Sequence, residues 1–228
     1  MQTYRVSALA SAAVRMWRGW SVIVPVVVVN ALVQALLVWP PFTYDSGWYT
    51  ALSALLSAVA FVLSYGLVAS VALDVPIGRV GWAQAWSRVR SHLGGYSLWA
   101  VLLLVVVSFG LAVYTVPGLL VLALTPFLLI AALDGRGNAL AANVRTIGRR
   151  FWRWLVTSAI AGLGVLLGSV VAGFTAFFWR GGVAAALVWL VGGLLLSWVT
   201  VAWGLIYRDA WMAAPDELAD GTPDLVSG

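Results

Sequence analysis

The acidic side chains best placed to take part in chemistry recur at one point of the sequence pattern, the end of an apolar run. Asp74, Asp134 and Asp209 each close such a run. If the runs are helices, each carboxylate lies at a C-terminus, where the macrodipole is negative and an acid needs a cationic partner. We expect structural ion pairs with an arginine of the following segment, such as Arg79 or Arg136. A proton relay is disfavoured, because relay groups lie near the centre of a membrane.

A second set of residues is suited to binding anions. Arginine pairs with lipid phosphate, and tryptophan partitions to the headgroup region of a membrane. The simpler interpretation is that these side chains fix the protein at the membrane surface. The more specific alternative is that they form a docking surface for a lipid or a protein partner. The candidate lipid- or partner-binding residues are Arg88, Arg90, Arg145, Arg149, Arg150, Trp152 and Arg153. With a net charge of +5, we expect anionic headgroups rather than nucleic acid as the partner.

Two amides are the most polar side chains inside an apolar run. Asn30 and Gln34 are spaced i, i+4, which puts them on one face of a helix. Such amides form interhelical hydrogen bonds that are worth about 0.6–2 kcal/mol each. We predict a packing role, with a substrate site as the alternative.

The residue types that are missing exclude several kinds of site. The chain has no lysine and no cysteine, and its one histidine is His92. Schiff-base chemistry, disulfides and thiolate ligands are therefore excluded, and one histidine cannot build a metal site. We expect no catalytic residue, no metal and no cofactor. An intramembrane lipid-modifying enzyme is the least favoured hypothesis, because it would need Asp74, His92 and Asp134 to converge around a pocket of headgroup size.

The elements that position these residues are long apolar runs. The chain of 228 residues is 63% hydrophobic and only 9% charged, whereas soluble domains carry about 25% charged residues. We predict six membrane spans at 19–39, 50–73, 97–115, 118–133, 152–178 and 183–206, the third and fourth divided at Pro117-Gly118. Residues 1–207 then form a single transmembrane domain, and 208–228 an acidic, disordered cytoplasmic tail.

The arginines predict how the spans are threaded. Twelve of the thirteen arginines precede the first span or follow an even-numbered one, and the exception is Arg180. Short loops that are rich in arginine stay in the cytoplasm. Both termini are therefore expected to be cytoplasmic, in a protein of the bacterial plasma (inner) membrane.

The chain also repeats one pattern. A Leu-Asp ending closes the second and fourth spans, a Gly-Arg pair follows at Gly78-Arg79 and Gly135-Arg136, and an amphipathic stretch precedes the next span. The predicted fold is all-α: a polytopic membrane protein of three transmembrane hairpins, each preceded by a cytoplasmic amphipathic interfacial helix.

Part of this pattern resembles a known family. The resemblance is based on three segments: the stretch from Leu133-Asp134-Gly135 to Leu140, the cluster 149–155 (RRFWRWL), and the ending Tyr207-Arg208-Asp209. They are similar to the membrane domain fused to some bacterial glycerophosphodiester phosphodiesterases and to its stand-alone six-helix relatives. The resemblance implies an all-helical inner-membrane protein. The phosphodiesterase activity belongs to a separate soluble domain, so no catalytic residue carries over.

Two functional hypotheses follow. The favoured one is a non-enzymatic scaffold or accessory subunit that organises lipids or holds a partner through its cytoplasmic Arg/Trp face. The alternative is a transporter or channel component for a neutral or lipid-like solute, which the repeated hairpins and the proline residues within spans would permit. No charged residue lies in the middle of a predicted span, which disfavours an ion pump or a voltage sensor.

Overall fold

The computed structural model of the protein describes residues 4–38, 47–75, 77–113, 115–135, 137–178 and 181–212. Within these ranges the chain is built of α-helices and one 3₁₀ turn, Trp17–Gly19, and contains no β-strand. The helices are α1 (Tyr4–Met16), α2 (Trp20–Val38), α3 (Gly47–Asp74), α4 (Trp82–Ser91), α5 (Leu93–Val113), α6 (Thr115–Leu124), α7 (Leu128–Leu133), α8 (Ala139–Arg149), α9 (Phe151–Phe178) and α10 (Gly182–Met212).

The long helices have the dimensions of membrane spans. In the described part of the chain, five helical segments are long and apolar enough to cross a membrane: Leu9–Val38, Gly47–Asp74, Leu93–Gly110, Phe151–Thr175 and Gly182–Met212. A hydrocarbon core of about 30 Å needs about 20 such residues. The all-α class is confirmed, and these segments indicate a membrane-spanning protein.

The fourth predicted span is divided into two shorter helices. Its residues lie on α6 and α7, which are separated at Pro126. Proline lacks a backbone N–H, so a helix cannot continue through it with all its carbonyls bonded. Side chains donate to backbone carbonyls near this break instead. The Thr125 hydroxyl donates to the carbonyl of Val121 (2.7 Å), and the Asn143 amide donates to that of Leu124 (2.8 Å).

The preceding boundary also differs from the prediction. The sequence placed the break at Pro117-Gly118, but α5 ends at Val113 and α6 begins at Thr115. Pro117 therefore lies in the first turn of α6, where its missing N–H removes no helical hydrogen bond. A Cβ at Gly110 would lie 2.8 Å from the backbone nitrogen of Gly118, so the two helices approach each other at backbone distance.

Helix α10 is the centre of the bundle, since it contacts α1, α2, α3, α8 and α9. Two glycines permit this packing. A Cβ at Gly204 would lie 2.7 Å from Cβ of Ala72 on α3, and one at Gly193 would lie 2.8 Å from Cγ1 of Val27 on α2. Neighbours in sequence also contact one another, as α2 does α3, α5 does α6 and α9 does α10.

The buried core lies at one end of this bundle. It takes in the last nine residues of α3, from Gly66 to Asp74, the whole of α7 and much of α10 from Ser197 onward. The short helices α4 and α8 pack there, and α4 buries Ala85 and Val89 on one face. We call this the aspartate end, because α3 and α7 finish there in Asp74 and Asp134. In contrast, most described side chains of α9 are exposed.

Some predicted features lie outside the described residues. These are Arg136, Arg180 and the acidic tail from residue 213 onward. The sequence predicts that the tail starts at residue 208, but α10 continues to Met212. Residues 208–212 are therefore helical, and they pack at the aspartate end through Ala210 and Trp211.

Candidate functional site

Asp74 is held by two side chains of α4. Its carboxylate is buried, with 3% of the side chain exposed, and it forms an ion pair with Arg88 through both guanidinium Nε (3.3 Å) and Nη2. Gln84, one helical turn before Arg88, donates a further hydrogen bond at 3.1 Å. The expected partner was an arginine of the following segment, and Arg88 is one. Arg79 is exposed instead, because it precedes α4.

Asp134 caps the end of α7 and contacts the last helix. The hydroxyl of the buried Tyr207 donates to its carboxylate at 3.1 Å. The next residue, Gly135, has φ +71°, the left-handed conformation that ends many helices and that glycine adopts without strain. A Cβ there would lie 2.6 Å from Nε2 of His92, so the start of α5 lies against the end of α7.

Asp209 and the C-terminus of α10 are surrounded by predicted lipid-binding arginines. Arg153 forms an ion pair with Asp209 at 2.8 Å. Arg149 and Arg150 donate to the backbone carbonyls of Ala210 and Asp209, at 3.0 and 3.1 Å. Cations near a helix C-terminus are stabilising, because the macrodipole is negative there. We call Arg149, Arg150 and Arg153 the arginine cap of α10.

Trp211 extends the arginine cap. Its indole nitrogen donates to the hydroxyl of Thr146 on α8 at 3.1 Å. The guanidinium carbons of Arg145 and Arg149 lie 5.4 and 5.8 Å from its ring centroid, which is within the range of a cation–π contact. Trp211 therefore adds to the contact between α8 and α10 that Arg149 makes through the carbonyl of Ala210.

The predicted lipid- or partner-binding residues divide into two groups. Arg88, Arg149, Arg150 and Arg153 bind other parts of the chain, as described above. Arg90 and Trp152 are exposed, and so are Arg79 and Trp86. Arg145 is exposed as well, although its guanidinium also lies over the Trp211 ring. Neither Arg79 nor Arg90 has an ion pair with the described residues. We call the exposed residues the exposed Arg/Trp set: Arg79, Trp86, Arg90, Arg145 and Trp152.

A pocket of about 180 Å³ lies between the ends of α3, α7 and α10, and we call it the end pocket. Leu73, Asp74, Ile77, Arg88, Asp134, Tyr207, Arg208, Trp211 and Met212 line it. The structure thus brings together two of the three predicted aspartates. Asp209 is not part of this lining, and its side chain is more than half exposed. His92 is not in the lining either, although it contacts Gly135 beside Asp134.

Six lining residues were not among the predicted sites, and three of these are polar or aromatic: Tyr207, Arg208 and Trp211. The sequence did carry a signal for the first two, because Tyr207-Arg208-Asp209 closes the last span in parallel with Asp74 and Asp134. What it lacked was the packing of α10 against α3, which directs Arg208 to the carbonyl of Leu73. Trp211 falls in the segment that the sequence predicts as tail.

The two amides of the first span are buried far from the aspartate end. The Gln34 amide oxygen accepts a hydrogen bond from the Ser57 hydroxyl on α3 at 2.8 Å, and its nitrogen donates to the Ser57 carbonyl at 3.4 Å. The Asn30 amide oxygen is buried without a hydrogen-bond partner among the described residues. Gln34 thus makes the interhelical contact that the spacing predicted, and Asn30 does not.

The described residues contain no group of three or more His, Cys, Asp or Glu side chains that could hold a metal ion. Comparison with known proteins finds no matching family model, no matching curated protein and no matching solved structure. The function must therefore be inferred from the geometry of the aspartate end.

Proposed function

We propose that the protein is a polytopic scaffold or accessory subunit of the bacterial plasma membrane. It organises anionic lipids, or holds a protein partner, at its cytoplasmic face, and it is not an enzyme. The observation that supports this proposal is that the arginines fall into two groups with different contacts. One group ties the helix ends together, while the exposed Arg/Trp set leaves its charges and aromatic rings at the surface of the same short helices and helix ends.

The proposal includes a topology of six crossings in three hairpins, each preceded by an interfacial helix, with both termini in the cytoplasm. Its support is that α3 and α7 finish beside one pocket and that His92, before α5, contacts Gly135, after α7. The chain between His92 and Gly135 leaves the aspartate end and returns to it. Crossing twice, with Pro126 breaking the returning helix, satisfies this condition.

The proposal also retains the relationship to the membrane domain of the glycerophosphodiester phosphodiesterases. The cluster 149–155 and the ending Tyr207-Arg208-Asp209 are separate parts of one resemblance. In the structure Arg150 and Arg153 both bind Asp209, so these parts contact each other.

Lipid retention tests the proposal. We expect Arg79→Gln/Arg90→Gln to weaken the binding of phosphatidylglycerol, measured by native mass spectrometry of the protein in detergent. Each arginine near an anionic surface contributes about 1 kcal/mol, so the loss should be about thirtyfold in affinity. Trp48→Ala, an exposed substitution at the start of α3, is the control and should retain the lipid. Equal retention by both variants, with no partner co-purifying, would contradict the proposal.

A transporter remains the second candidate because of Asn30. A buried amide oxygen without a partner is costly in the membrane interior unless a neighbour, water or a solute satisfies it. Because the chain has no cysteine, Asn30→Cys can be tested alone with a water-soluble thiol reagent. Labelling in intact membranes would favour a water-accessible path. A protected thiol, with Gly47→Cys labelled as the positive control, would leave the scaffold as the better proposal.

A further inference from the structure

Arg18 and Arg79 are distant in the sequence, but the structure brings their backbones together. The amide of Val80, the residue after Arg79, donates to the carbonyl of Arg18 at 3.4 Å. With standard bond lengths, this contact leaves the two arginine Cα atoms no more than about 8 Å apart. Both side chains are exposed, and neither has an ion pair with the described residues. We call Arg18 and Arg79 the arginine pair.

Two further hydrogen bonds fix this junction between the start of α2 and the loop from α3 to α4. Pro25 has no N–H to donate to the carbonyl of Ser21, one turn earlier in α2, and the Trp82 indole donates to that carbonyl instead, at 3.1 Å. The Ser21 hydroxyl donates to the carbonyl of Val80 at 3.4 Å. The fold therefore holds the backbones of the arginine pair in a defined position.

Three exposed tryptophan side chains lie next to the arginine pair. Trp17 and Trp20 lie on either side of Arg18 in the sequence, and their rings stack with centroids 5.3 Å apart. Trp82 lies on the other segment, where its indole binds Ser21. Tryptophan partitions to the headgroup layer of a membrane. These rings therefore indicate that the arginine pair lies at the depth of the lipid phosphates.

The charge of the arginine pair is not balanced by a neighbouring acid. Neither 17–21 nor 77–82 contains an aspartate or a glutamate. Asp74, the acid nearest to Arg79 in the sequence, is already held by Arg88 and Gln84. An anion is therefore the matching ligand. A guanidinium is a planar fork of donors that binds two oxygens of one phosphate, so two forks match two phosphates.

We propose that the arginine pair binds one lipid that carries two phosphodiesters, of the diphosphatidylglycerol type. Each arginine binds one phosphate, and the tryptophan rings cover the glycerol and the first acyl carbons. Once one phosphate is bound, the second binds within the same complex, which raises the affinity. This inference rests on the proposed function, because it needs a layer of anionic headgroups at this depth. It adds selectivity: charge alone attracts any anionic lipid, whereas the arginine pair prefers two phosphates on one molecule.

The test is native mass spectrometry of the full chain in detergent. Diphosphatidylglycerol and phosphatidylglycerol are titrated separately and compared at equal phosphate concentration. We expect one diphosphatidylglycerol to bind at least about fivefold more tightly, since one more arginine–phosphate contact contributes about 1 kcal/mol. Arg18→Gln and Arg79→Gln should each remove this preference, because either substitution leaves a single fork. The double variant should show no further change in the preference.

Arg90→Gln is the matched control, because Arg90 is also exposed and has no ion pair with the described residues. It removes the same charge, so it should weaken both lipids by similar factors and keep the preference. If Arg18→Gln does not fold, Arg18→Lys replaces it. Lysine keeps the charge but offers no fork, so part of the preference should be lost, and an unchanged preference would contradict the inference.

Inorganic pyrophosphate, added to the wild-type protein, distinguishes a lipid from a soluble compound with two phosphates. Displacement of diphosphatidylglycerol only at a large excess supports the lipid, and displacement at equal concentration overturns it.

Two further results would overturn the inference. One is a wild-type protein that binds both lipids equally, and the other is a preference that Arg90→Gln removes as fully as Arg18→Gln does. Failure of the proposed function gives a different result. The Arg79→Gln/Arg90→Gln variant then retains phosphatidylglycerol as Trp48→Ala does, whatever Arg18→Gln does to the preference.

Discussion

At the scale of single residues, two ion pairs of the same kind lie in different surroundings. Asp74 is 3% exposed and is held by Arg88 and Gln84, whereas Asp209 is 55% exposed and is held by Arg153. Removing one partner of a buried pair leaves an uncompensated charge, which costs far more than losing a surface pair. The two aspartates should therefore differ in their contribution to stability, although the sequence pattern treats them alike.

A pair of double-mutant cycles measures this difference. Asp74→Ala should lower the free energy of unfolding by about 3 kcal/mol, and its coupling with Arg88→Ala should be roughly 1–3 kcal/mol. The matched cycle, Asp209→Ala with Arg153→Ala, should give a coupling below about 1 kcal/mol. Denaturation in mixed micelles provides the measurement. Equal couplings in both cycles would show that burial does not distinguish the pairs.

The sequence predicted that the aspartates need cationic partners, but not which ones. The helix dipole gives the requirement without any knowledge of packing. The choice of Arg88 over Arg79 depends on α4 beginning at Trp82, which places Gln84 and Arg88 on the face toward Asp74. Tyr207 and Arg208 were not predicted as site residues, because the groups that they contact belong to helices distant in the sequence.

At the scale of helices, the glycines of α9 and those of α10 differ in what lies next to them. Gly162, Gly164, Gly168 and Gly173 of α9 each have open space where a Cβ would lie, with no neighbouring atom within 4 Å of that point. On α10, Gly193 and Gly204 make the close approaches instead. Small residues let membrane helices approach each other, but the spacing alone does not say which ones do.

Gly204 and Gly192 provide a direct test on one helix. A Cβ at Gly204 would meet both Cβ and the backbone oxygen (2.9 Å) of Ala72, and backbone cannot move aside cheaply. Gly204→Ala should therefore separate α10 from α3 and lower the melting temperature, at a cost of about 1–3 kcal/mol. Gly192→Ala, where a Cβ would have no neighbouring atom within 4 Å, should leave stability unchanged or raised. A destabilised Gly192→Ala with an unaffected Gly204→Ala would contradict this packing.

Helix boundaries were predictable where a charge or glycine ends the run, and not where proline lies near a helix end. The end of α3 at Asp74 and the start of α10 at Gly182 each lie within one residue of the predicted boundary. Helix α6 begins at Thr115, two residues before Pro117, because proline is tolerated in the first turn of a helix. Pro126 lies between α6 and α7, whereas Pro25 lies inside α2 without ending it.

At the scale of the whole molecule, the absence of cysteine makes the topology directly measurable. Gly47, Gly81 and Gly137 are exposed, have no positive φ, and leave room for a Cβ with no neighbouring atom within 4 Å of it. Single cysteines there should disturb nothing. With six crossings, a membrane-impermeant maleimide added outside intact cells should label Gly47→Cys but neither Gly81→Cys nor Gly137→Cys.

The pattern of labelling separates the alternatives. If α6 and α7 do not cross the membrane, Gly81→Cys stays protected while Gly137→Cys is labelled. If the whole chain is inverted, Gly81→Cys and Gly137→Cys are labelled and Gly47→Cys is not. Permeabilised cells, in which all three react, provide the control for accessibility.

The central position of α10 has a consequence for how the protein is made. Ribosomes release a membrane protein one segment at a time, and α10 emerges after every other described helix. Until then α2, α3 and α9 have entered the bilayer without the helix that each of them contacts. Nascent chains stalled before residue 182 should thus be recognised by membrane proteases and insertion chaperones. Once α10 is complete and has packed against these helices, the chain should be protected from both.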